Sequence, residues 1–192
     1  GGLHRLARSG ACPELTAVYP PHEVSLEQLR RALQAAISGH AEFLAGYLTS
    51  PPQTNEVARS AILLGGLLTI AKETGLALEM IEIGSSAGLN LFVDAYGYAL
   101  GGDRRWGPAD APLTIASDWR GSLPPLEQAL IVVRRVGCDR NPLDPAEPET
   151  RERLLSYVWP DQSHRMQRLS AALDFAASTD VRVEAIDAAA FI

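Results

Sequence analysis

Glu82-Ile83-Gly84-Ser85-Ser86-Ala87-Gly88-Leu89-Asn90 decides how this chain is read. The residues leading into it, Leu78-Glu79-Met80-Ile81-Glu82-Ile83, form a short, mostly apolar run that predicts a strand. Gly84 to Gly88 predicts a tight turn, because glycine accepts positive φ and lets a ligand approach the backbone. Leu89 to Tyr98 predicts a helix, whose first amides would be free for a polar or anionic group.

Upstream of the turn the chain reads as helical through residue 76. Ser25 with Gln28 has the spacing of a capping box, and Leu26, Leu29, Leu33, Ile37, Phe43, Leu44, Tyr47 and Leu48 recur at helical intervals. His40 falls on that pattern and reads as a core histidine. A second helix is expected from Thr54 to Thr74, stopped by Gly75, and apolar enough from Ala61 to Ala71 to be buried on most sides. Downstream, residues 99–128 are rich in Gly, Pro and Trp and read as an insertion with one possible strand, Leu113–Ala116. Ala129–Val133 predicts the second core strand, 149–158 and 162–178 predict helices, and Val181–Asp187 predicts a third strand. The chain starts without Met and stops soon after that strand, so it is expected to be a piece of a longer protein.

Strand, glycine turn, helix, strand, helix, strand is the opening of a doubly wound α/β sheet, which binds ligands at the carboxyl ends of its strands. The expected fold class is therefore α/β, with residues 1–76 as a helical cap and 77–192 as the first half of a cofactor-binding domain. Acids recur at the strand ends: Glu82, Asp139 and Asp187. Asp139 is the first choice for accepting a pair of hydroxyl donors, with a simple turn role in Asp139-Arg140-Asn141-Pro142 as the rival reading. Asp144 is a second choice, and Asp118 becomes the candidate if Leu113–Ala116 belongs to the main sheet. Gln53, Thr54, Asn55, Glu56 and Arg59 form a polar cluster at the start of an apolar helix. They read either as helix caps or as groups facing the turn, with Arg59 available to a ligand carboxylate and Gln53, Asn55 and Glu56 to a substrate.

Composition limits the partners. The 192 residues carry a net charge of −6, with 46% hydrophobic and 21% charged residues, as in an ordinary globular domain and unlike a nucleic-acid-binding surface. Ala61–Ala71 is too short to span a bilayer. The two cysteines, Cys12 and Cys138, lie far apart, which suits free thiols in a reducing, cytoplasmic compartment. The four histidines do not cluster, so no metal site is expected.

Glu82, Gly84 and Gly88 resemble the first motif of Rossmann-like S-adenosylmethionine-dependent methyltransferases, with Ser86 where that family has a middle glycine. The resemblance implies a methyltransferase-type sheet that is incomplete at its carboxyl end. It also implies S-adenosylmethionine as cofactor and a small-molecule methyl acceptor. Glu82 is then expected near the cofactor's methionine end, with Gly84, Ser85, Ser86, Gly88 and Asn90 around it, Asp139 at the ribose and Asp187 near the adenine. Gln53-Thr54-Asn55-Glu56-Val57, the stretch 82–91, Trp119-Arg120-Gly121 and Val158-Trp159-Pro160 together resemble a bacterial family of unknown function along essentially the whole chain. Its members extend further at both ends.

Two other readings stay open. Gly84-Ser85-Ser86-Ala87-Gly88 also fits the G-x-S-x-G elbow of serine hydrolases, with Ser86 as nucleophile. Against it, elbows usually follow several strands, and Glu82 has no role in one. The third reading is a non-catalytic module that binds a nucleoside or a protein partner.

Overall fold

The structure is a computed structural model that describes residues 1–49 and 51–192. Its elements, in chain order, begin with α1 (Gly2–Ser9), α2 (Pro13–Thr16), α3 (Leu26–Gly39) and α4 (Ala41–Leu48). A 3-10 turn (Val57–Arg59) leads into α5 (Ser60–Thr74) and β1 (Leu78–Ile83). A second 3-10 turn (Leu89–Phe92) precedes β2 (Gly97–Ala99), β3 (Arg105–Trp106), β4 (Thr114–Ala116) and β5 (Val132–Asp139). The chain continues through α6 (Pro148–Ser156), α7 (Ser163–Ala177), β6 (Val183–Ala185) and α8 (Ala188–Phe191). Two compact units divide these elements: Gly1–Thr54 with Pro148–Met166, and Asn55–Glu147 with Gln167–Ile192.

The first unit is helical. The Ser25 hydroxyl accepts from Gln28 N and the Gln28 side chain accepts from Ser25 N, so the capping box forms. Its core gathers Leu6, Ala7, Cys12, Leu15 and Ala36, with Leu33 and Leu44 packed against them. The periodic stripe is only partly used: Leu26 is 85% and Leu48 86% exposed. His40 is half-buried where α3 gives way to α4, and so is not a core residue.

The second unit is mixed α/β. β1, β5 and β6 form a parallel sheet in that order, and β3, β2 and β4 form a separate three-stranded sheet. On β1 the side chains alternate: Leu78, Met80 and Glu82 are half-buried, while Glu79, Ile81 and Ile83 are exposed. α5 buries one face through Ala61, Leu64, Gly65, Leu68 and Ala71 and leaves Ile62, Leu63 and Ile70 exposed. It is thus amphipathic by packing although its sequence is apolar nearly all round. α5 belongs to the sheet's unit, although its sequence groups it with the helices before it.

Four expectations are corrected. Leu89 to Tyr98 is a 3-10 turn followed by β2, with no α-helix. The carbonyls of Leu89 and Val93, which a helix would bond four residues on, accept instead from the hydroxyls of Tyr96 and Tyr98, each at 2.7 Å. Gly97 N donates to Leu113 O at 2.9 Å, which commits the chain to the small sheet. The second core strand runs from Val132 to Asp139, not from 129 to 133, because it pairs with β1 from Val132 to Cys138 and with β6 through Asp139. Arg134 pairs with Glu79 on β1, and Arg135 pairs with Asp94 and lies over the Phe92 ring.

The possible strand near Leu113 exists as β4 but joins β2, so Asp118 is not at the end of a main-sheet strand; it is exposed and pairs with Arg120. The third strand is confined to Val183–Ala185. Among the described residues, no helix is long and apolar enough to cross a membrane.

Candidate functional site

The chain leaves β1 through three left-handed residues at alternate positions: Gly84 (φ 69°), Ser86 (φ 54°) and Gly88 (φ 70°). Ser86 is the only non-glycine with positive φ among the described residues, so a serine holds the conformation for which glycine is suited. Such a conformer persists where its surroundings hold it. Here the end of β5 does so. Gly84 N and Ser85 N both donate to Cys138 O, at 2.8 and 3.0 Å. Ser86 N donates to Asp139 Oδ2 at 2.8 Å, and Leu143 N donates to Ser86 O at 3.1 Å. Gly88 N returns to Ser85 O at 2.7 Å, and the Asn55 amide donates to that same carbonyl at 3.2 Å.

This bonding corrects a further expectation. The amides of Gly84, Ser85, Ser86 and Gly88 are engaged within the chain, and the element after the turn is a four-residue 3-10 turn. The turn therefore offers side chains more than a free amide cradle. At Gly88, an added Cβ would meet Val183 Cγ2 at 3.0 Å, so the glycine serves close packing as well as its φ. A cavity of about 210 Å³ opens beside it, lined by Ala87, Phe92, Leu143, Val181 and Val183 among others.

Glu82 sits at the carboxyl end of β1 and is half-buried. Asn90 Nδ2 donates to its Oε1 at 3.4 Å, while Oε2 is buried with no hydrogen-bond partner. Burial pushes its carboxyl above the usual carboxylate range; the Asn90 bond and the Arg59 charge oppose this, and the Asp139 charge adds to it. Ser86 Oγ is a second buried polar atom without a partner. Buried polar atoms in folded chains are nearly always paired, so two unpaired ones around one turn set it apart.

The other two acids occupy the expected strand ends but are engaged locally. Asp139 accepts from Ser86 N through Oδ2 and from Asn141 N through Oδ1, each at 2.8 Å, so the turn role weighed for it is present. Asp187 is exposed and caps α8, accepting from Ala189 N at 2.9 Å. Asp144 likewise accepts from Ala146 N at 2.8 Å.

Of the polar cluster, Gln53 falls in the first unit; Asn55, Glu56 and Arg59 fall in the second. Glu56 accepts from Ala58 N at 3.0 Å and pairs with Arg168 at 3.1 Å, while Arg59 is exposed and carries its charge within reach of Glu82. Sequence reasoning missed Ser60, whose hydroxyl donates to Asn90 Oδ1 at 3.0 Å, and Arg168. The one available signal for Ser60 was a hydroxyl at the head of an otherwise apolar helix. Nothing local marks Arg168.

The profile of one protein family matches residues 1–192, and its members are described as uncharacterized proteins conserved in bacteria. The chain belongs to this family, DUF2332. No curated protein and no solved structure matches the chain.

Proposed function

We propose that this chain is the cofactor-binding part of a Rossmann-like, S-adenosylmethionine-dependent methyltransferase. The observation that carries the reading is Glu82: a carboxylate at the end of the first parallel strand, beside a left-handed turn, with Oε2 buried and unpartnered. The order β1-β5-β6 puts Glu82, Asp139 and Asp187 at the carboxyl ends of neighbouring strands, where open α/β sheets take their ligands.

The residues present fit the cofactor. Glu82 Oε2 would accept from its methionine end, and the exposed Arg59 guanidinium would suit its carboxylate. Asp139 holds two backbone amides and keeps lone pairs for ribose hydroxyls, since each carboxylate oxygen accepts more than one donor. When bound, the cofactor supplies an electrophilic methyl group. The chain's part is to hold it in one orientation, which is where much of the rate enhancement in such transfers arises.

Calorimetric titration with S-adenosylhomocysteine tests the reading. Binding with a Kd of about 1 μM, weakened at least tenfold (about 1.4 kcal/mol) in Glu82→Gln, is expected. Absence of binding overturns it.

Serine hydrolysis is the second reading. The φ of 54° at Ser86 favours it, because a nucleophile elbow holds its serine in a strained strand-to-helix turn. Ser86 Oγ donates to no base, however, and the unit that contains it has no histidine. Fluorophosphonate labelling that Ser86→Ala abolishes would install this reading in place of the first.

A further inference from the structure

The cavity beside Gly88 is a place for a ligand apart from the strand-end acids: none of Glu82, Asp139 and Asp187 lines it. It lies where the chain enters β6, between the residues from Val181 to Val183, the loop after β5 and the end of α7. Its volume is about 210 Å³. An apolar cavity of about 150 Å³ is enough to hold benzene, so a leucine or phenylalanine side chain fits here. Leu143, Val181 and Val183 give it apolar walls. Phe92 adds a ring that is 4% exposed and braced edge-on by Phe175, with 5.3 Å between centroids. Leu143 is tied to the turn through its amide, which donates to Ser86 O.

Two exposed side chains of opposite charge, Asp144 and Arg182, also line this cavity. Each is held by the backbone and keeps further capacity to bond. Asp144 Oδ1 accepts from Ala146 N at 2.8 Å, which leaves Oδ2. Arg182 Nη1 donates to Thr179 O at 2.9 Å and to Val181 O at 3.1 Å, which leaves Nε and Nη2. Among the described residues neither side chain forms an ion pair. Small-molecule sites combine apolar walls with a few polar groups that fix orientation, and this cavity has both.

We propose that the cavity binds a free α-amino acid with an apolar side chain. The side chain fills the space against Phe92, Leu143 and Val183. Asp144 Oδ2 accepts from the ammonium group, and the Arg182 guanidinium takes the carboxylate. A neutral apolar molecule would leave both charges unused, and a simple anion or cation would use one of them. The site is defined by its own residues, so it stands whether or not a cofactor binds at Glu82.

Calorimetric titration of the chain with L-leucine and L-phenylalanine tests the proposal. Three reduced ligands accompany L-leucine: glycine lacks the side chain, isoamylamine the carboxylate and isocaproate the ammonium group. L-leucine is expected to bind at least about tenfold more tightly than each of them. Asp144→Asn, which keeps an acceptor for Ala146 N, should remove the advantage over isocaproate. Arg182→Gln should remove the advantage over isoamylamine. Both side chains are exposed, so the variants are expected to fold. The amide resonances of Gly88, Leu143 and Val183 should shift with bound ligand. Absence of binding by both amino acids at millimolar ligand overturns the proposal. Binding whose preferences survive both substitutions also overturns it, because the amino acid then sits elsewhere, as at Glu82 and Arg59.

Discussion

The carboxyl ends of β1 and β6 look alike in sequence and differ in physics. Each ends in an acid close to the strand, Glu82 in one case and Asp187 in the other. At β1 the chain turns through residues buried without a break from Ser85 to Val93, and Glu82 is drawn in with them. At β6 the chain meets solvent, and Asp187 caps the short α8. The same residue type at the same topological position is a buried acceptor in one place and a helix cap in the other. Asp139, between them on β5, shares both characters: it is half-buried and bonded to local amides.

That contrast can be broken or sharpened by substitution. The largest effect is expected at Asp139→Ala, which leaves the amides of Ser86 and Asn141 without their acceptor. A loss of about 1–3 kcal/mol in urea denaturation is expected, and a neutral result would mean that the turn is held by its other bonds.

A smaller, pH-dependent effect is expected at Glu82→Gln. Burial raises the folded carboxyl above its unfolded value. An acid raised in this way contributes stability that is whole below the unfolded pKa and is lost as pH rises through the folded one. Glu82→Gln, neutral throughout, should therefore gain stability relative to wild type as pH rises above the ordinary carboxylate range, about pH 4. Parallel stability profiles would show that Glu82 is as well solvated as a surface acid.

The smallest effect is expected at Asp187→Ala. Global stability should change by no more than about 0.5 kcal/mol, as for most surface positions. Hydrogen exchange at the Ala189 amide, which loses its cap, should nevertheless quicken. A global loss as large as that of Asp139→Ala would erase the distinction between the two strand ends.

The local signals in the sequence were strong where one residue type has one physical use. Gly75 ends α5 at φ 67°, Ser25 and Gln28 cap α3, and β1 spans the expected residues. The glycine turn was legible for the same reason, and Ser86 stands there with the positive φ that suits a glycine. What failed were readings that depend on partners distant in sequence. The apolar run from Leu89 could have been a helix until the hydroxyls of Tyr96 and Tyr98 took its carbonyls. The second core strand, expected at Ala129–Val133, has its bounds set by pairing with β1 and β6, which lie far from it in sequence.

By itself, then, the sequence determined β1, the capped helices, the turn and the acids near the strand ends, because propensity, capping and φ preference act between near neighbours. Only the tertiary structure decided which acid is buried, which amides are already bonded, and that Ser60 directs Asn90 toward Glu82. Burial and hydrogen-bond partnership are properties of groups brought together from distant parts of the chain, and no local pattern encodes them.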